Sequence, residues 1–83
     1  MGIRSNAIHE FNYCVYTVSA GGDIIETLAM ADNFSVAEAA FEASFLARPQ
    51  STIELRNKGR VITTVKTGAY CSETKTVEIL WRR

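Results

Sequence analysis

One segment of this 83-residue chain is built for a helix, and most of what flanks it is built for strands. Residues 35–47 are rich in alanine, the strongest helix former, and Ser35-Val36-Ala37-Glu38 has the form of a capping box. In such a box the serine hydroxyl accepts an amide three residues on, and the glutamate reaches back to the serine amide. Pro49 ends the segment, because its ring disfavours helical geometry in the residue before it. At 100° per residue, Val36, Ala40, Ala43 and Ala47 fall on one narrow stripe, with Phe41 and Phe45 on one flank and Leu46 and Ala39 on the other. Only Glu38 and Glu42 make a polar edge, so this helix is short of polar surface. The alanine stripe predicts close approach to a sheet.

The flanks supply that sheet. Residues 11–18 are aromatic and β-branched, with Phe11, Tyr13, Val15 and Thr17 on one face of the predicted strand. Gly21-Gly22-Asp23 supplies a tight turn, and a second strand is expected over residues 24–31. Beyond Pro49, residues 52–56 alternate and turn Ile53 and Leu55 inward. Asn57-Lys58-Gly59-Arg60 is turn chemistry, and residues 61–67 return with Val61, Thr63 and Val65 on one face. Residues 68–75 read as a loop. Residues 76–83 alternate again and predict a fifth strand, with a short helix capped by Ser72 as the competing reading. The expected architecture is α+β: a small antiparallel sheet of ββαββ order with an extra C-terminal strand, and one helix packed on one face.

Length allows one domain, residues 11–83, preceded by a flexible segment of residues 1–10. A chain this small buries only about 60–65% of its unfolded surface, so its core is thin and pairing with a second copy is a natural remedy. No run approaches the roughly 20 apolar residues that span a bilayer, and the first ten residues lack the apolar stretch of a signal peptide. No membrane association is expected, and a cytoplasmic location is.

Catalytic and metal chemistry find little purchase. Cys14, Cys71 and His9 are too few and too scattered for a tetrahedral metal centre, and neither cysteine belongs to a C-x-x-C pair. No metal and no cofactor are expected. Cys14 reads as a small buried strand residue; Cys71 stands beside Ser72 and Glu73 with no cation to activate its thiol. Glu38 and Glu42 lie one turn apart but suit a solvated helix edge. Gly21-Gly22-Asp23 joins two strands and has no following lysine, so it is no phosphate loop. An enzyme is not expected.

Charge is distributed unevenly. Residues 1–47 hold one base and six acids, a net of −5, whereas residues 48–83 hold eight bases and three acids, a net of +5. Its densest part is Arg56, Lys58 and Arg60 on a hairpin tip, which could track phosphates or simply be a solvated turn. Trp81 beside Arg82 and Arg83 pairs two residue types favoured at interfaces, although a terminal tryptophan more often closes a small core. Tyr13, Tyr16 and Tyr70 suit either a core edge or a contact surface.

In general build, the Tyr13-Cys14-Val15-Tyr16-Thr17-Val18 strand, the Gly21-Gly22 turn, the alanine-rich helix and the Ile53-Glu54-Leu55-Arg56 hairpin together resemble several small phage-encoded inhibitors, including some anti-CRISPR proteins. The resemblance covers residues 11–66, lies in element order and assigns no residue a role. It implies a stoichiometric inhibitor or adaptor. With no catalytic constellation, a thin core and a helix short of polar surface, the leading expectation is a non-enzymatic interaction module, a homodimer that binds a protein partner, with Arg56, Lys58, Arg60, Trp81 and Arg82 as candidate binding residues. The second expectation is a nucleic-acid-binding domain that uses the basic hairpin.

Overall fold

A computed structural model of the chain describes residues 12–83. What was expected of residues 1–10, of His9 and of Phe11 lies outside the described residues. The elements run β1 (Tyr13–Val18), β2 (Ile24–Ala31), α1 (Phe34–Ala47), β3 (Thr52–Asn57), β4 (Arg60–Cys71) and β5 (Thr76–Arg82). All strand pairs are antiparallel, and the sheet order is β2-β1-β3-β4-β5. The expected ββαββ order with a fifth strand is the observed one.

Period-two alternation sorts the side chains of β1, β3 and β4. Val15 and Thr17, Ile53 and Leu55, and Val65 and Thr67 are buried beneath α1, while their neighbours face the uncovered side. Val61 departs from the expected face. A register shift between Leu55 and Arg56 places Thr63 opposite Leu55 and Val61 opposite Arg56, so one extra residue re-aims the strand start. The β3–β4 turn has positive φ at both Lys58 (51°) and Gly59 (88°). That is the turn twist that suits a two-residue hairpin, and glycine is its usual second residue.

The helix differs from expectation at its start and in its rotation. Its cap is Asn33, whose side chain accepts the Val36 amide at 2.9 Å, so the helix begins at Phe34 and Ser35 lies inside the first turn. Asparagine caps at least as well as serine, and the exit of the chain from β2 selects the earlier residue. Asn33→Ala is expected to cost about 1 kcal/mol in urea unfolding, while Ser35→Ala leaves the midpoint nearly unchanged. The reverse order would restore the Ser35 box.

The buried stripe is Ala37, Phe41 and Ser44, with Ala40 and Phe45 partly covered; Val36, Ala43 and Ala47 are exposed. Phenylalanine determines this rotation. It removes far more apolar area from water than an alanine methyl does, so Phe41 turns to the sheet and small residues on either side let the helix close in. Ser44 is tolerated there because its hydroxyl donates to the Ala40 carbonyl at 2.7 Å.

Past the helix, Thr67 ties the connection to the sheet. Its buried hydroxyl donates to the Arg48 carbonyl at 2.7 Å and accepts the Ser51 amide at 2.9 Å. The expected loop over residues 68–75 is shorter than predicted: β4 runs on to Cys71, and only residues 72–75 turn. The C-terminal segment is a strand, and its expected strict alternation is broken by register shifts between Lys66 and Thr67 and between Thr67 and Tyr70. No helix among the described residues is long and apolar enough to cross a membrane.

Candidate functional site

The predicted basic hairpin does not present three free cations. Arg56 lies on the face of the sheet opposite α1, where its guanidinium bonds Glu54 through Nε at 2.8 Å and Nη2 at 2.7 Å. It also stands 5.4 Å from the centre of the Tyr16 ring. The two charged side chains are only 17% and 13% exposed, so this is a satisfied, half-sheltered ion pair. Lys58 and Arg60 remain exposed at the tip.

Trp81 and Arg82 are separated by the sheet itself. Arg82 passes over the helix side, 5.6 Å and 5.9 Å from the ring centres of Phe41 and Phe45, and pairs with Glu42 at 3.0 Å. It caps the core. Trp81 is on the other side, 38% exposed, so it does not close the core. Its cationic neighbour is Arg83, whose guanidinium carbon lies 4.5 Å from the indole centre.

Strand register assembles the uncovered face around that pair. One row across the sheet reads Val18, Thr52, Lys66, Trp81. The next reads Tyr16, Glu54, Thr64, Arg83, the last two joined by reciprocal amide–carbonyl bonds of 3.1 Å and 2.8 Å. A shallow concavity of about 370 Å³ lies over both rows, bordered by Thr52, Glu54, Thr64, Lys66, Trp81 and Arg83 and by the β1–β2 turn. Tyr16 adds a half-buried phenol whose pKa is raised, first by a hydrogen bond with Cys14 and then by burial. Linear sequence offered no local signal for Lys66, which meets Trp81 only through β4–β5 pairing.

A second concavity, of about 330 Å³, lies by the β1–β2 hairpin and is closed on one side by Arg48 and Glu26. These form a two-pronged ion pair at 2.8 Å and 2.7 Å. The bonds from Arg48 hold the Glu26 carboxyl below its ordinary pKa.

Both cysteines are free. Cys71 is the last residue of β4 and not a loop residue. Its thiol pKa is lowered by the Thr74 hydroxyl, followed by the amides of Thr74 and Glu73, a cause that the absence of a neighbouring cation had hidden. Among the described residues no group of three or more His, Cys, Asp or Glu side chains could hold a metal ion. No protein-family model matches the chain, and comparison with curated proteins and with solved structures gives no significant match.

Proposed function

We propose that this chain is a non-enzymatic interaction module of the cytoplasm, which pairs with a second copy of itself and binds a protein partner stoichiometrically as an inhibitor or adaptor. The supporting observation is the balance of apolar residues. Among the described residues eight form the buried core, while twelve large ones are exposed. Singly scattered apolar residues would need no explanation, but these run together. Ile79, Leu80 and Trp81 are consecutive on β5, and Ile24 and Ile25 open β2.

The two runs lie on opposite edges of the sheet. Six of the seven residues of β5 are exposed, and the strand contains neither lysine nor proline, two residues that commonly protect a free edge. The β5 edge suits the second copy, leaving the β2 side with Phe34 and Val36 for the partner. Nucleic-acid binding through Arg56, Lys58 and Arg60 is the less supported reading, because Arg56 is engaged by Glu54 and Tyr16.

Sedimentation equilibrium tests the self-pairing. The expected mass at micromolar concentration is twice the 9.2 kDa of one chain. Ile79→Lys is expected to return the monomer mass with an unchanged circular dichroism spectrum. A wild-type chain that stays monomeric at high micromolar concentration would overturn the pairing.

A further inference from the structure

The face of the sheet away from α1 has a composition that edge pairing does not explain. Its cations are Arg56, Lys66 and Arg83, against two carboxylates: Glu54, which Arg56 already neutralises, and Glu78, which lies over Gly68. Among the described residues Lys66 and Arg83 make no ion pair. The acids of the helix, Glu38 and Glu42, ride on the far side of the sheet, and Glu42 is held by Arg82. Three cations against two carboxylates leave this face net positive, and the two unpaired cations both stand at Trp81, where the face is complementary to an anion. It also offers a flat aromatic group beside its free cations, because Lys66 stands directly across from Trp81 and Arg83 stacks on the same indole.

We propose that this face is a binding platform for single-stranded nucleic acid. A base stacks on the Trp81–Arg83 pair, and the flanking phosphates meet Lys66 and the Arg83 guanidinium. Exposed bases stack on aromatic rings and on guanidinium planes alike, and a sheet with an uncovered aromatic face can take bases that a duplex keeps hidden. The hydroxyls of Thr52 and Thr64, one strand or two from Trp81 and Arg83 in the same rows, line the floor of the concavity and can bond sugar or phosphate oxygens. Two free cations supply too little charge to hold a duplex by its backbone alone, so the stacking contribution selects the single strand. The platform is independent of β5 edge pairing, which uses the outer rim of the strand.

Trp81 is the only tryptophan and reports directly on its own occupancy. Titration of the wild-type chain with oligothymidylate at low salt is expected to quench its fluorescence saturably. The log–log salt slope should be roughly −1.4, from two phosphate contacts at about −0.7 each for a single strand. Lys66→Gln is expected to reduce that slope by about 0.7. Trp81→Leu, followed by anisotropy of a labelled oligonucleotide, is expected to weaken binding at least about fivefold, the lower bound for losing one stacked base. Absence of quenching at low salt would overturn the proposal. So would equal quenching by a duplex or by polyglutamate, the latter pointing to an acidic peptide. Loss of binding in Lys58→Gln/Arg60→Gln with Lys66→Gln unaffected would move the contact to the hairpin tip and overturn it as well. Sedimentation mass, read separately, keeps failure of the platform distinct from failure of the dimer.

Discussion

Phe41→Ala is expected to lower the unfolding free energy by about 3–5 kcal/mol, the usual cost of emptying a fully buried phenylalanine site. Phe41 has no exposure, lies at the centre of the stripe facing the sheet and meets Phe45 edge-on at a centroid distance of 5.0 Å. A domain of this length holds on the order of 4–12 kcal/mol in total, so the variant is expected to be marginally folded at best. Among the described residues only eight apolar side chains make up the core, and no second buried cluster is there to compensate. Urea unfolding followed by far-ultraviolet circular dichroism measures the effect. A loss below about 1 kcal/mol would mean that Phe41 is not the residue on which the helix seats.

Thr67→Val is expected to cost about 2–3 kcal/mol although it adds a methyl group to a fully buried site. Valine has nearly the same shape as threonine, but it cannot accept the Ser51 amide or donate to the Arg48 carbonyl. Each buried polar group left without a partner costs roughly 1–3 kcal/mol, more than one extra buried methyl returns. The sign of the change decides between the two contributions. A neutral or stabilised variant would show that water or a small backbone shift satisfies both groups. The expected loss would show that this single hydroxyl fastens the end of α1 to the sheet.

Strand identity was legible in the sequence because it depends on near neighbours. Ile53 and Leu55 alternate with polar residues, glycine marks two of the three hairpin turns, and the strand read over residues 24–31 has the observed bounds. The helix was legible as a segment but not as a face. Asn33 and Ser35 are both good caps, and the alanine spacing points to one stripe while a single phenylalanine outweighs several alanines in setting the buried one. Gly68 and the polar residues after it looked like a loop, yet Tyr70 and Cys71 extend β4 through pairing with Val77 and Thr76.

The candidate surface was least legible of all. Trp81 stands out in the sequence as an unusual residue, but its neighbours depend on which strands pair and where the register shifts. Lys66 lies fifteen positions away in sequence and directly across from it in the sheet. Arg82, adjacent in sequence, belongs to the other side, where it lies over Phe41 and Phe45. In the sequence Arg56 stands as one cation of a basic tip, because Glu54, two residues earlier, shares its face only once the strand is formed.

Consecutive arginines that part to opposite sides of β5 make the last strand a mechanical link between the two surfaces of a thin protein. Arg82 presses on Phe41 and Phe45, while Arg83 and Trp81 lie on the reverse. An edge strand with little buried surface is where local opening starts, and peeling this one away would uncover the core and dismantle the opposite face in one event. Whatever clasps Trp81 and Arg83 therefore also holds the Arg82 cap shut. Occupancy on one side becomes resistance to unfolding on the other, growing with the logarithm of ligand concentration above its dissociation constant.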